Sequence, residues 1–392
     1  DVTNPTMPKL LWEFGSDQEK GKNLGLMAEP VIARLNDDGD KKGKWVALIS
    51  AGYQGAESMA GKTSMFVLDI QTGEVLREFG LDSGVTSGLD PLGNGLSRLS
   101  VVDNNGDGKI DMVYAGDLLG DVWRIDMRSG KSNAWSAGLF YVAKDSSGNR
   151  QPITAAPHVI HHPLGRGNIV VVATGRYLTL EDKGDAQTQS IYGIWDRYSR
   201  GGTATPTPMP TANKGRSHLQ KQEFADANLG NAPGAKVLTD NEVKWLKNGA
   251  QVSDNDDKVD QWGWYVDLTN IGERVVYDMT LYGRGLWLNS IYNDESDPCK
   301  PGLSGMLYAI DPEKGGKLDY QAIDITGNSI IDGDDSPEGK ISSGWKWSGG
   351  KLTFGRGDVF SPDGSETKIA SGVQKGCLLY TSPSPRDGLL SR

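Results

Sequence analysis

The chain contains little cysteine, no long apolar run and no excess of positive charge. Its 392 residues include only two cysteines, Cys299 and Cys377, so no disulfide framework can be derived. No run reaches the roughly 18 apolar residues that a membrane-spanning helix needs, so we predict no spanning segment in this chain. The net charge of −10 argues against a nucleic-acid partner, because binding to the phosphate backbone needs a basic surface.

Helical periodicity is also scarce, whereas glycine and tryptophan are abundant. The best amphipathic candidate, residues 239–249, is short, and no such pattern extends beyond about 12 residues. The 52 glycines and 11 tryptophans are typical of a protein with many tight turns and aromatic strand pairs. We therefore expect an all-β fold.

Four similar units recur along the chain. They span about 29–79, 98–135, 155–201 and 274–320. Each unit contains three or four short runs rich in Val, Ile, Tyr and Trp, bounded by Gly, Asp and Asn. In the first three units a glycine follows the second run, at Gly52, Gly116 and Gly175. Repeats of this kind predict a β-propeller, and a β-sandwich with insertions is the alternative.

The repeats predict a single β-propeller domain over residues 1–376. The Pro- and Thr-rich stretch at about 201–261 interrupts the pattern and is predicted to be a polar insertion, partly extended and poorly ordered. The chain begins in mid-pattern, so we expect the first propeller strands to be missing. Residues 377–392 share no pattern with the rest and resemble translated adapter sequence, so we interpret them as a non-native tail.

The stretch 103–111, DNNGDGKID, carries an oxygen-bearing group at every second position between two apolar runs. Calcium takes about six to eight oxygens, and a tight loop supplies them from positions one, three, five and nine and from the carbonyl of position seven. The candidate ligands at those positions are Asp103, Asn105, Asp107, Asp111 and the carbonyl of Lys109. Gly108 at position six suits a turn that needs positive φ, and Ile110 is expected to anchor the loop in the core.

Two features distinguish this loop from a calcium loop between helices. Position twelve is Tyr114 rather than Glu, and the flanking runs are strand-like. A solvated turn is the alternative, but its carboxylates would repel one another without a counter-ion. Zinc is disfavoured because no His or Cys lies nearby, and magnesium demands stricter octahedral geometry. The loop therefore predicts a calcium site.

A weaker second loop at 324–332 copies the same register. Its candidate ligands are Asp324, Thr326, Asn328, Asp332 and, at position twelve, Asp335. Ser329 replaces the glycine of position six, so this loop is either a low-affinity site or a turn. The acidic stretch 36–44 lacks both the glycine and the acid at position nine, and we interpret it as solvated surface.

Other suggestive residues are given structural interpretations. The tripeptide Arg356–Asp358 reads RGD, which integrins recognise, but it arises easily by chance in a chain rich in Gly and Asp. His158, His161 and His162 lack acidic partners at metal-ligand spacing and are predicted to be solvated or stacking residues between strands. The tryptophans are predicted to pack the sheets rather than to form a binding platform.

Several segments carry a family resemblance. They read RQPITAAPHV, VYAGDLLGDVWRID, ATGRYL, IYGIWD and SDPC. Together they resemble the C-terminal propeller of the type IV pilus tip adhesin family, PilY/PilC, from residue 1 to about 345. The resemblance implies a modified propeller, with about seven blades in the family and incomplete here. It also implies calcium ligation by Asp103, Asn105, Asp107, Lys109 and Asp111.

The same resemblance implies a function in pilus extension, adhesion and twitching motility. It implies export through the periplasm to the cell surface and the pilus tip, with association with the outer membrane. The implied partners are minor pilins and other tip components, together with a host-cell or surface receptor.

An enzyme is the alternative, because quinoprotein dehydrogenases also combine a propeller with calcium. Those enzymes need a cofactor clamp, often a vicinal cysteine pair, and no adjacent cysteines occur in this chain. We therefore expect a protein without enzymatic activity.

Overall fold

A computed structural model describes most of the chain. The described residues are 1, 3–15, 24–37, 43–54, 61–87, 89, 91–200, 210–226, 234–293, 303–325, 331–336 and 340–348. Outside them lie Thr326, Asn328, the tripeptide Arg356–Asp358, both cysteines and the tail 377–392. Predictions about those residues stay predictions.

The described residues form four β-sheets and short 3-10 helices, with no α-helix among them. The first sheet has the order β1 (Val31–Arg34), β2 (Trp45–Ser50), β3 (Lys62–Asp69) and β4 (Val75–Asp82). The second has the order β5 (Ser100–Val102), β6 (Met112–Gly116), β7 (Asp121–Asp126) and β8 (Ser136–Val142). Each strand pairs with the next one in sequence, as in a propeller blade.

The third and fourth sheets combine strands from distant parts of the chain. The third has the order β12 (Gln220–Gln222), β15 (Gly263–Asp267), β11 (Ser190–Asp196), β10 (Asn168–Ala173) and β9 (His158–His161). The fourth has the order β13 (Phe224–Asp226), β14 (Ala235–Leu238), β19 (Gly344–Ser348), β18 (Leu303–Ile310), β17 (Gly285–Asn293) and β16 (Thr280–Tyr282). The stretch 201–261, predicted to be a polar insertion, thus contributes three short strands.

Six 3-10 helices complete the described elements. They are Ser132–Ala134, Glu181–Gly184, Pro210–Asn213, Arg216–His218, Asp256–Lys258 and Gly333–Asp335.

Backbone contacts divide the chain into two compact units. The first comprises Asp1–Arg176, Gln189–Gln220 and Val243–Tyr265, and the second comprises Tyr177–Thr188, Lys221–Glu242 and Val266–Arg392. The first unit contains the first two sheets and β9 to β11, and the second contains the six-stranded sheet. A single domain over 1–376 stays a prediction.

The central strand β6 of the second sheet is buried on both faces, which explains why it is apolar at nearly every position. Val113 and Ala115 belong to an apolar cluster that includes Leu48 of the first sheet. Met112 and Tyr114, the alternate residues of β6, belong to a cluster that includes Val172 of the third sheet. Alternating side chains of one strand therefore serve two cores, as expected where sheets are stacked face to face.

In the first two units, the glycine that follows the second run lies where another segment approaches closely. A Cβ on Gly52 would lie 1.7 Å from the carbonyl oxygen of Leu26, and a Cβ on Gly116 would lie 2.2 Å from Ile153. Gly175 has a φ of +148°, a conformation that other residues rarely adopt. The repeated glycine is thus a steric requirement of the fold.

Gly116→Ala is expected to destabilise the chain by about 1–3 kcal/mol, because the added methyl group must displace Ile153 in a packed core. Chemical unfolding of this variant beside Gly138→Ala measures the effect. Gly138 lies in β8 and has nothing within 4 Å of the added Cβ, so its variant controls for the substitution itself. Equal midpoints for the two variants would contradict the steric explanation.

Candidate metal centre

The predicted calcium loop is the connection between two paired strands. β5 ends at Val102 and β6 begins at Met112, and these two residues are partners in the antiparallel register. The strand-like flanks are therefore confirmed. Ile110, at position eight of the loop, is 1% exposed and belongs to the core cluster shared with the first sheet. Its predicted burial in the core is confirmed.

Asp103 organises the backbone of the loop. Its Oδ1 accepts the N–H groups of Asn105 (3.2 Å), Gly106 (2.7 Å) and Asp107 (3.3 Å), and its Oδ2 accepts that of Gly108 (2.7 Å). Gly106 and Gly108 both have a φ of +76°, which lets the chain turn the amides inward. Burial by itself raises the pKa of Asp103, but the four amides outweigh it, so the pKa is lowered and the carboxylate stays charged.

The middle of the loop is a succession of side chain to backbone hydrogen bonds. Asn105 Oδ1 accepts the N–H of Asp107 (2.9 Å), and Asp107 Oδ1 accepts the N–H of Lys109 (3.0 Å). The Lys109 ammonium lies 3.3 Å from Asp107 Oδ2 and 3.1 Å from Asp37 Oδ2. Lys109 can offer a cation only its carbonyl oxygen, because its ammonium group is itself a cation and has no acceptor atom.

Asp111 is the most buried of the candidate ligands in the 103–111 loop, with 6% of its surface exposed. Its Oδ2 accepts the N–H of Asn104 at 2.8 Å. Burial is the largest cause that raises the pKa of Asp111, and the charges of Asp103 and Asp107 raise it further. The three carboxylates are thus close enough for mutual repulsion, which a divalent cation would relieve.

The donor set fits calcium in its chemistry. Every candidate ligand is an oxygen, as a hard cation requires, and the loop carries three carboxylates in nine residues. As the described side chains are placed, no three Asp, Glu, His or Cys residues form a group that could hold a metal ion. Tyr114 at position twelve is fully buried and donates its hydroxyl to Asp196 at 2.7 Å, so it offers the loop no ligand.

In the second predicted loop the acidic side chains bind backbone amides. Asp335 is fully buried, and its carboxylate accepts the N–H groups of Ile325 (2.9 Å) and Asp332 (3.0 Å). Asp324 is 1% exposed, and Asp332 Oδ1 accepts the N–H of Asp334 at 2.9 Å. These contacts close a turn, and metal binding at this loop stays a prediction.

His162 is a stacking residue, as predicted. Its ring lies 4.0 Å from that of Trp195 in a stacked arrangement and 4.4 Å from that of Trp245 edge-on. Burial, together with the charge of Arg197, lowers the pKa of His162 to about 3, so the ring is neutral. His162 Nδ1 accepts the N–H of Leu164 at 3.1 Å.

Sequence reasoning missed a buried ionic network beside the loop. The Arg124 side chain, 2% exposed, donates to Asp196 Oδ2 at 2.5 Å and to the Tyr198 carbonyl at 3.0 Å. Tyr114 donates to the same carboxylate oxygen. The available signal was a charged residue, Arg124, within an apolar strand. Its partner Asp196 lies 72 positions away in sequence, and 82 positions away from Tyr114.

A second buried acid, Asp121, lies at the start of β7. Its Oδ1 accepts a hydrogen bond from Arg150 Nη1 at 2.5 Å, while its Oδ2 is buried without a hydrogen-bond partner among the described residues. Burial, followed by the charge of Asp117, raises the pKa of Asp121 to about 7.

Asp121→Asn is expected to flatten the dependence of stability on pH. Because the folded-state pKa of Asp121 lies above the unfolded value, the folded protein binds this proton more tightly. Its contribution to stability is therefore present at about pH 4 and is lost as the pH rises to about 7. Urea unfolding at pH 5 and pH 8 measures the difference, with exposed Asp82→Asn as the control. An equal pH slope in wild type and Asp121→Asn would contradict the assignment.

Comparison with known proteins decides the family. The family model described as the PilY1 beta-propeller domain matches residues 1–230, more than half of the chain. The chain belongs to this family. The predicted all-β propeller fold is thereby confirmed, and the predicted family is correct.

Curated relatives and a solved structure extend the match. Type IV pilus biogenesis factor PilY1 of Pseudomonas aeruginosa strain PAO1 is 34% identical, over 85% of this chain and 29% of that protein. A PilY1 homolog of Xylella fastidiosa strain Temecula1 is 29% identical, over 81% of this chain and 21% of that protein. The crystal structure of the P. aeruginosa PilY1 C-terminal domain aligns with a TM-score of 0.73 at 30% identity, over 93% of this chain and 74% of that one.

The PilY1-family chain therefore spans about three tenths of the length of the first of these relatives. The described ranges contain no helix with the length and hydropathy needed to cross a bilayer.

Proposed function

We propose that this chain is a calcium-binding, non-enzymatic propeller domain of a type IV pilus biogenesis protein. The observation that carries the proposal is the 103–111 loop, whose acidic side chains lie on a β5–β6 turn fixed to the core by Ile110. The relatives of this chain are named type IV pilus biogenesis factors, and the proposed connection with the pilus rests on them.

Calcium would be held by oxygens of Asp103, Asn105, Asp107, Asp111 and the Lys109 carbonyl. The bound ion supplies positive charge among carboxylates that otherwise repel one another. Asp103 holds the backbone turned inward, and Asp111 provides a carboxylate that burial makes costly to ionise without a cation. Calcium occupancy would then favour the ordered loop over alternatives.

The proposal places the protein at the cell surface, at the pilus tip, after export through the periplasm and with association with the outer membrane. Its partners there are minor pilins and other tip components, and a host-cell or abiotic surface is the adhesive target. Calcium binding would support pilus extension, adhesion and twitching motility through the ordered state of the loop.

A chromosomal Asp107→Ala substitution in the full-length protein tests the proposal. We expect fewer surface pili and reduced twitching in calcium-containing medium, because a ligand and a charge are lost. Asp37→Ala is the matched control, since Asp37 also pairs with the Lys109 ammonium but lies outside the ligand set.

Two outcomes would contradict parts of the proposal separately. If the Asp107→Ala strain has normal pili and twitching although the purified variant no longer binds calcium, then calcium binding is not needed for pilus function. The assignment of the loop as a calcium site would still stand. Equal loss in the Asp107→Ala and Asp37→Ala strains would show that the effect comes from Lys109 pairing rather than from calcium.

A further inference from the structure

Asn104 connects the calcium loop to the third sheet. It occupies position two of the loop, which supplies no calcium ligand, yet only 8% of its surface is exposed. Its backbone N–H donates to Asp111 Oδ2 at 2.8 Å, so it contacts a candidate ligand directly. Its remaining hydrogen bonds all lead away from the loop.

Those hydrogen bonds reach two strands of the third sheet, at the start of β10 and just after the end of β11. Asn104 Nδ2 donates to the carbonyl of Ser199 (2.7 Å), and Asn104 Oδ1 accepts from Asn168 Nδ2 (2.7 Å). Its carbonyl oxygen accepts from Arg200 Nη2 at 3.1 Å. Asn168 is the first residue of β10, while Ser199 and Arg200 follow the end of β11.

The network continues one residue further into the sheet. Asn168 Oδ1 lies 3.1 Å from His161 Nδ1, and the two residues are register partners in the β9–β10 pair. The Asn104 side chain thus has its amide donor and its carbonyl acceptor engaged by the third sheet. A buried amide with such contacts is costly to displace, because several polar groups would lose their partners at once.

We propose that Asn104 is a positioning residue that couples calcium occupancy of the 103–111 loop to the order of the third sheet at Asn168 and Ser199–Arg200. The inference rests on the proposed calcium site. Calcium would fix the Asp111 carboxylate and the loop backbone, and the backbone N–H of Asn104 donates a hydrogen bond to that carboxylate. The side chain of the same residue is hydrogen-bonded to the third sheet. Without the ion, repulsion among the loop carboxylates works against the same arrangement.

Coupling of this kind is reciprocal. If calcium stabilises the contacts of Asn104 with the third sheet, then those contacts must raise the affinity for calcium by the same factor. A change at Asn168, which lies outside the loop and is no ligand, is therefore expected to weaken calcium binding. That effect would not follow if the loop bound calcium as an isolated turn.

The test combines calcium titration calorimetry with hydrogen exchange on the purified chain. We expect Asn104→Ala and Asn168→Ala each to weaken calcium binding about five- to tenfold. In the wild type, calcium should slow exchange of peptides covering both 103–111 and 196–200. In Asn104→Ala the slowing should be confined to 103–111, whereas Asn168→Ala, which keeps the hydrogen bond from Asn104 to Ser199, should retain part of the slowing at 196–200. The double variant should bind calcium little more weakly than Asn104→Ala alone, because Asn104→Ala already removes the hydrogen bond with Asn168.

Asn94→Ala is the matched control. Asn94 is also a fully buried asparagine, with hydrogen bonds from its side chain to the Gly61 carbonyl and Asp117 Oδ2. The Asn94→Ala variant should be less stable than the wild type but should bind calcium with the same affinity. Should Asn104→Ala fail to fold, Asn168→Ala alone carries the test, since it leaves the loop sequence intact.

The outcomes separate the inference from the proposed function. A wild-type chain that binds no calcium would overturn the site and the coupling together. Calcium binding of equal affinity and equal exchange protection in the wild type, Asn104→Ala and Asn168→Ala would overturn the coupling and leave the site standing.

Discussion

Calcium is expected to bind the wild-type chain with one ion per 103–111 loop and to raise its melting temperature, whereas Asp103→Ala should show neither effect. Asp103 is a candidate ligand, and its carboxylate also accepts four backbone amides of the loop. Alanine removes the ligand, its charge and the organisation of the turn together. At a free calcium concentration one hundred times the Kd, the ion should stabilise the wild type by about 2.7 kcal/mol.

Titration calorimetry and thermal unfolding in calcium and in chelator measure this effect. We expect a Kd within the broad micromolar to millimolar range of sensor and extracellular sites. Asp82→Ala is the control, because Asp82 also accepts a loop amide, that of Gly84 at 2.9 Å, and lies outside the candidate site. Equal binding heats in wild type and Asp103→Ala would show that the loop is only a turn.

Acid should weaken calcium binding through Asp111. Burial and the neighbouring carboxylates raise the pKa of Asp111 above its ordinary value, whereas the amides lower that of Asp103. As the pH falls, a proton therefore competes with calcium at Asp111 first. Titrations at pH 7 and pH 5 should show weaker binding at pH 5, and Asp111→Asn should bind weakly with little change between the two.

The sequence predicted the local features of the fold and of the site, because these depend on neighbours in the chain. Short apolar runs bounded by Gly, Asp and Asn located β2, β6 and β10, and the spacing of Asp, Asn and Gly located the loop. Gly116 was recognisable from its repeated position, although its reason, the close approach of Ile153, needed coordinates.

The strands within the polar stretch could not be predicted, since their residues lack an apolar period. Gln222 in β12 is fully buried although it is polar. Its amide donates to the carbonyls of Asn241 (2.7 Å) and Lys314 (3.0 Å), and its oxygen accepts from Thr239 (2.6 Å). Hydrogen bonds rather than apolar contacts satisfy this side chain, and no pattern in the sequence around Gln222 identifies those partners.

The coupling residue of the site escaped prediction for a similar reason. Asn104 looks like one more polar residue of an acidic loop, and its position supplies no ligand. Its importance comes from Ser199 and Asn168, which are 95 and 64 positions away in sequence. Long-range pairing of this kind depends on how the second and third sheets are stacked, which a single sequence does not encode in its spacing.

Arg124→Met is expected to destabilise the chain by about 3–5 kcal/mol, because it leaves a buried carboxylate without its cation. Asp196 is fully buried and keeps only neutral donors in the variant, the Tyr114 hydroxyl (2.7 Å) and the Tyr198 N–H (2.9 Å). The wild-type pair gains from its geometry, since Arg124 also donates to the Tyr198 carbonyl. Methionine fills a similar volume, so the loss reports charge rather than a cavity.

A double variant distinguishes an unpaired buried charge from simple misfolding. Arg124→Met with Asp196→Leu removes both charges and should recover most of the lost stability, because an apolar pair of similar size avoids the cost of burying ions. Urea unfolding at pH 7 measures the stability of both variants. A double variant as unstable as Arg124→Met would mean that Arg124 stabilises the fold through packing alone.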